Sequence, residues 1–171
     1  MNLSINKNFK LKNKQNKINK RYLCDSEKQK GQNKIPIIKW NKMKDADFYS
    51  LIMEDPDAPN KTFTHLYIPV IPNTYTFLDE QNLKNQDIII GYNSNNQRDY
   101  LGPCNPFPKI HHYYFIVYAI KATDKSITNM KKIINQKDMI ETKNSEEFES
   151  FLKNNKFEIL SKEESIFKYK L

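Results

Sequence analysis

The chain has 171 residues, 38% of them apolar and 12% aromatic, with only three glycines, a composition that fits one globular domain with a sizeable core and excludes a low-complexity chain. Its net charge of +8 at first suggests nucleic acid, but residues 1–21 hold Lys7, Lys10, Lys12, Lys14, Lys17, Lys20 and Arg21 with no acid, which leaves +1 for residues 22–171. The basic signal belongs to a tail, and nucleic acid is not the expected partner of the domain.

Residues 1–21 are polar, rich in Asn and Lys, and without helical or strand periodicity. They hold too little apolar surface to offset the entropy of ordering and are expected to be a disordered tail. Their charge could attract an anionic membrane surface or RNA. The tail has no apolar core of a secretion signal and is richer in Lys than in Arg, unlike a transit peptide. No stretch approaches the length of apolar residues that a membrane span needs. A soluble, cytoplasmic protein is expected. Cys24 and Cys104 can make at most one bridge, no Cys-x-x-Cys pair is present, and two free thiols in a reducing compartment are the expectation.

The domain is read from residue 22 to residue 171. Residues 22–34 read as a loop. Ile35–Trp40 is a short apolar strand, and Phe48–Asp55 is a buried one that Pro56 and Pro59 end. Phe63–Ile71 is a further strand, whose period of two puts His65, Tyr67 and Pro69 on one face. Pro69 cannot donate to a ladder, which predicts that this strand lies at an edge or stops there. Residues 72–86 read as a long polar loop. Tyr100–Pro108 packs three prolines and a glycine into seven residues, a stiff irregular loop. His111–Ile120 is the longest strand, with His111, Tyr113, Phe115 and Val117 on one face and His112, Tyr114, Ile116 and Tyr118 on the other. Both faces are mostly apolar, so the strand is expected to be central and covered on each side. Beyond it, Ile127, Met130, Ile133 and Ile134 recur at helical spacing after Ser126. Phe148, Phe151 and Leu152 do the same after Asn144 or Ser145, with Glu146 and Glu147 in the first turn. Residues 157–171 are expected to hold a short strand or a helical turn.

Asp55, His65 and His111 stand at the ends of apolar strands beside proline-rich loops, and His111 and Tyr113 point the same way, about 7 Å apart. Each also fits a plain structural role: Asp55 capping a Pro-Asp turn, the histidines half-buried in a sheet, Tyr113 in the core. Taken together, Asp55-Pro-Asp-Ala-Pro59, the His65 strand, Gly102-Pro-Cys-x-Pro106 and His111-x-Tyr113 resemble the phosphatidylethanolamine-binding protein family, which includes the Raf kinase inhibitor proteins. Gly91-x-Asn93-Ser94 and the Phe157–Tyr169 segment are similar to its bacterial branch. The resemblance covers residues 24–171. It implies a mainly β fold, a large antiparallel sheet packed on a smaller one with a few peripheral helices toward the C-terminus. It also implies a small cavity for phosphate and the phosphatidylethanolamine headgroup.

Carried over by position, the resemblance assigns the ligand to Asp55, His65, Gly102, Pro103, His111 and Tyr113, with Ala58, Pro59 and Pro106 as further lining. An imidazole that gives one N–H to Asp55 is oriented and favoured in its charged form, so the other N–H can meet a phosphate oxygen. Tyr113 and a backbone N–H near Gly102 would add donors, and Gly102 would permit close approach. Lys109-Ile110 stands where the family usually has Gly, and His112 where it often has Arg. A non-enzymatic binding protein without cofactor or metal is the expected function, with a phosphate-bearing small molecule or lipid headgroup as ligand and a protein kinase as the partner that animal relatives imply. The competing reading is an enzyme: two histidines and a carboxylate are also a facial-triad metal set or an acid–base set. No Gly-x-Ser-x-Gly elbow or P-loop supports a serine hydrolase or a nucleotide triphosphatase.

Overall fold

The computed structural model describes residues 1–5, 18–104, 108–123 and 137–170. Among these, β1 (Leu3–Ile5), β2 (Ile38–Trp40) and β5 (Phe77–Leu78) form a three-stranded sheet in the order β1-β2-β5. A larger sheet runs β4-β3-β6-β7, from β3 (Phe48–Asp55), β4 (Phe63–Pro72), β6 (His111–Ala122) and β7 (Phe157–Tyr169), with every pairing antiparallel. The α-helices among the described residues are α1 (Lys137–Ile140) and α2 (Ser145–Asn154). The fold is thus the expected mainly β one, with two antiparallel sheets and few helices.

The large sheet is apolar on both sides because each face has its own cover. Tyr113, Phe115, Val117 and Ala119 of β6 join Leu51 and Met53 of β3 in a core that takes Ile38, Trp40 and Leu78 from the small sheet. The alternate residues Ile116, Tyr118 and Ile120 meet Phe148 and Leu152 of α2. All eight residues of β3 are buried, as a strand covered on both faces requires. The alternation expected for β6 holds, and its central place follows from pairing with β3 and β7.

α2 begins where expected. Asn144 is its N-cap and forms a capping box with Glu147. The buried Glu54 of β3 accepts both the Ser145 N–H and the Ser145 hydroxyl at 2.8 Å, pinning the helix start to the sheet. The helix expected from Ile127 to Ile134 lies outside the described residues.

Four expectations need correction. Residues 72–86 contain β5 and a 3-10 turn at Asn82–Lys84, because Phe77 and Leu78 pair with β2 and Leu78 is buried in the core. The last segment is a thirteen-residue strand, since β6 offers it twelve register positions to pair with. The tail is ordered at both described ends: Leu3–Ile5 pair with β2, and Ile18 is buried in the core. Residues 6–17 of it lie outside the described residues. The fourth correction concerns the cysteines, which are joined as Cys24–Cys104 with their Cα atoms 5.2 Å apart. The segment 22–33 folds over the loop 100–104, and that contact, invisible in the sequence, brings the two thiols together.

Candidate functional site

At one end of the sandwich, the last residues of β3 and the first of β4 and β6 surround a cavity of about 390 Å³. Asp55 closes β3 there. Its Oδ1 accepts the Asp57 N–H at 2.9 Å, so Asp55 does cap the Pro-Asp turn. Its Oδ2 also accepts from His111 Nδ1 at 2.6 Å, between side chains that are both about 5% exposed. One carboxylate therefore fixes the turn and orients an imidazole. Because a carboxylate only accepts, Nδ1 carries the hydrogen, and Nε2 of His111 is left for the cavity.

His65 reaches the same cavity through a break in strand regularity. Met53 pairs with Leu66 while Glu54 pairs with Thr64, so His65 is the additional residue of a β-bulge. The bulge corrects the expected common face for His65 and Tyr67. Tyr67 points to the α2 side, whereas His65 turns with Phe63 toward the cavity, its ring 4.8 Å from that of Phe63 and 5.2 Å from that of Tyr113. β4 is the edge strand that Pro69 predicts, and its outer carbonyls receive the chain that follows. Gly91 N–H meets the Tyr67 carbonyl, Ser94 N–H that of Thr64, and Leu101 N–H that of His65. The Leu101 carbonyl accepts in return from His65 Nδ1 at 2.9 Å. Burial pushes the His65 imidazole down to about 4, against the pull of the Leu101 and Gly102 carbonyls, with His111 a further push downward. His65 is thus neutral near pH 7, with a hydrogen on Nδ1 and a lone pair on Nε2.

The cavity wall contains Asp55, Ala58, Pro59, His65 and His111 of the expected residues. Tyr113 stands behind it, buried, stacked on Phe167 at 5.2 Å, with its hydroxyl bonded to Asp55. Burial first, and then the Asp55 charge, raise the phenol, so Tyr113 supports the carboxylate rather than facing a ligand.

Gly102 and Pro103 also lie behind the wall. A Cβ on Gly102 would stand 2.3 Å from the Tyr22 carbonyl oxygen, so this glycine admits the chain's own backbone and not a ligand. Its N–H is given to Asn33 Oδ1 at 2.9 Å, and the Pro103 carbonyl accepts from Cys24 N–H at 3.2 Å. The expected backbone donor at Gly102 is therefore already used. Pro106 lies outside the described residues.

Several lining residues escape a sequence reading. Phe63 went unread, although it stands two positions before His65 on an alternating strand. Cys24, Asp25, Asn95, Leu101 and Cys104 come from remote loops, and nothing in their local pattern marks them. His112, on the opposite face of β6, gives Nδ1–H to Asp57 Oδ2 at 2.7 Å and its backbone N–H to the same oxygen at 2.8 Å. The side-chain bond from His112 holds the Asp57 carboxyl below its usual range, against a smaller push upward from burial. The loop after β3 is thereby clipped to the start of β6 from both faces.

Among the described residues no group of three His, Cys, Asp or Glu side chains is placed to hold a metal ion. Nδ1 of His65 and of His111 is in each case bonded within the protein. No described helix is long and apolar enough to cross a membrane.

A family model described as phosphatidylethanolamine-binding protein matches residues 9–169. A UPF0098 protein of Methanothermobacter thermautotrophicus is 36% identical over 114 residues, which cover 63% of this chain and 71% of that protein. A UPF0098 protein of Aquifex aeolicus is 35% identical over 108 residues, 60% of each chain. Two crystal structures share the fold. A phosphatidylethanolamine-binding protein homologue of Chlamydia trachomatis aligns with a TM-score of 0.67 at 21% identity, over 99% of this chain and 97% of that one. YbcL of Escherichia coli, described as a member of the mammalian PEBP family, aligns with a TM-score of 0.73 at 19% identity, over 99% and 98%. With its two antiparallel sheets, and a family model matched along almost its full length, the chain belongs to the phosphatidylethanolamine-binding protein family.

Proposed function

We propose that this protein is a binding protein rather than an enzyme, and that its cavity takes a phosphate group, carried by a small phosphorylated molecule or by a lipid headgroup such as that of phosphatidylethanolamine. The observation that supports this most is the convergence of His65 and His111, 46 positions apart, on one cavity with Asp55 orienting the second. The wall includes no Lys or Arg among the described residues, so an anion there meets the Nε2 side of two imidazoles instead of a fixed positive charge. Such a site binds weakly and releases readily, as a carrier or a sensor of phosphorylated ligands requires.

The protonation state of His65 sharpens the reading. A neutral imidazole with its lone pair at Nε2 accepts a hydrogen bond, so a phosphate monoester fits as its monoanion, whose P–OH can donate. A fully ionised phosphate needs a proton placed on His65 first. Either way binding takes up a proton, and affinity falls as pH rises through the second phosphate ionisation near pH ~6. A protein kinase as regulatory partner rests on the resemblance to the Raf kinase inhibitor proteins. Contact of residues 1–21 with an anionic membrane rests on their charge. The Cys24–Cys104 bond speaks against the expected cytoplasmic location, because such bonds persist in oxidising compartments.

Calorimetry with phosphoethanolamine, inorganic phosphate and phosphatidylethanolamine vesicles tests this reading and separates the two ligand sources. The expected result is saturable binding of phosphoethanolamine that Asp55→Asn weakens on the order of tenfold, by loss of about 1–3 kcal/mol of charge-assisted hydrogen bonding. Binding of vesicles alone would assign the site to lipid. Equal affinity of the wild type and Asp55→Asn for every probe would refute the site.

A further inference from the structure

One wall of the cavity is not built by the sheets. The segment 22–33 crosses the loop 100–104 and places Cys24 and Asp25 opposite Cys104 and Leu101 at the cavity. Its anchors lie on either side of that contact. Tyr22 and Leu23 are buried in the core, the Tyr100 hydroxyl donates to the Tyr22 carbonyl at 2.9 Å, and Gly102 N–H meets Asn33 Oδ1 at 2.9 Å. At Cys24 itself the ties to the opposite loop are one backbone hydrogen bond of 3.2 Å to the Pro103 carbonyl and the disulfide. The covalent bond therefore sits where the wall faces the cavity, and both of its residues line that cavity.

We propose that Cys24 and Cys104 are positioning residues of the ligand site: their disulfide holds the wall in its binding position, and a phosphate-bearing ligand in the cavity shields that bond from reductants. This rests on the phosphate reading of the cavity. Cys24 is 1% exposed, whereas Cys104 is half-buried, so the Cys104 sulfur is the one open to attack. The thiolate of a dithiol reductant attacks it, the Cys24 sulfur leaves as a thiolate and takes up a proton, and the second thiol of the reductant resolves the mixed disulfide. Two electrons and two protons pass to the protein, and the reductant leaves as its own disulfide. With the bond open, Tyr22, Leu23 and Asn33 keep the segment on the protein, but within the stretch 24–32 Cys24 is tied to the opposite loop by its hydrogen bond to the Pro103 carbonyl alone, and the wall that Cys24 and Asp25 form at the cavity loses its covalent hold. Because coupling between two equilibria is reciprocal, a ligand that the reduced chain binds more weakly shifts the reduction equilibrium toward the disulfide, and by filling the cavity that Cys104 lines it also covers the sulfur under attack and slows the reaction.

The test uses the full chain in its oxidised form, dithiothreitol as reductant, and phosphoethanolamine or inorganic phosphate as probe against chloride at equal ionic strength. Free thiols are counted with time by alkylation and mass spectrometry. Saturating probe should slow reduction on the order of tenfold, and the rate should not respond to urea below the unfolding transition. The reduced chain, and separately Cys24→Ser/Cys104→Ser, should bind the probe on the order of tenfold more weakly. Should the double variant fail to fold, the reduction rates of the unaltered chain decide the matter alone. Equal reduction rates with and without a probe that the oxidised protein binds would overturn the coupling while leaving the phosphate site standing. A rate that follows urea as global unfolding does would overturn it as well. Failure of the oxidised protein to bind either probe would remove the phosphate reading and this inference together.

Discussion

A neutral histidine buried at the end of a sheet has a measurable consequence for acid stability. His65 is 4% exposed, and burial pushes it from the ordinary 6.5 down to about 4. In the unfolded chain the same side chain takes up a proton as pH falls below about 6.5, while in the folded protein it resists until about 4. The unfolded state thus binds more protons across that window, and stability must rise with pH there. The contribution is complete above pH 6.5 and is lost progressively as pH falls toward 4. At about 1.4 kcal/mol per pH unit, the difference comes to roughly 3 kcal/mol. Asp57, whose carboxyl is held low by His112, acts below its ordinary 3.8 and leaves this window clear. Urea unfolding of the wild type and of His65→Gln at pH 7, 6, 5 and 4 measures the effect. The wild type should lose roughly 3 kcal/mol more than the variant between pH 7 and 4. Parallel curves for the two proteins, or a directly titrated His65 that protonates near 6.5, would refute the reasoning.

Two further substitutions test the frame around the cavity. Gly102→Ala places a methyl group 2.3 Å from the Tyr22 carbonyl oxygen and 2.4 Å from the Leu23 carbonyl carbon, where only backbone can give way. It should cost about 1–3 kcal/mol and lower the melting temperature by several degrees in a thermal scan; an unchanged melting temperature would contradict the packing of segment 22–33 described here. Glu54→Ala leaves the Ser145 N–H and hydroxyl without their acceptor. About 2–3 kcal/mol should be lost, and amide exchange should accelerate first in α2, whereas uniform acceleration along the chain would argue against a local role.

How much of this was readable in the sequence depends on the range of the interaction concerned. The alternation of His111–Ile120 correctly placed Tyr113 and Ile116 on opposite faces of a central strand, because period two is a local property. Pro69 correctly marked an edge strand, because its missing N–H cannot serve an inner ladder. A helix start at Asn144 or Ser145 was readable because capping is also local, and the structure gives the cap to Asn144.

The cavity was legible only in part. Asp55 and His111 came from motif resemblance, and the structure supplies the 2.6 Å bond between them. The bulge at His65 has no local signature, so counting by twos assigned it to the wrong face. Gly102 was recognised as a point of close approach, but what approaches is residue 22, eighty positions away. The disulfide was missed because the contact of segment 22–33 with loop 100–104 is set by the packing of Tyr22 and Leu23 into the core, which spacing does not encode.

The central claim is that side chains remote along the chain build one anion-binding cavity, and the three histidines provide the direct measurement. His65 and His111 line the cavity, whereas His112 points away from it and is bound to Asp57. With 15N-labelled imidazoles, titration of inorganic phosphate at pH 6 should shift the ring nitrogens of His65 and His111 together, along one saturation curve, and leave those of His112 in place. Shifts confined to His112, or no shift at either cavity histidine at saturating phosphate, would contradict the account.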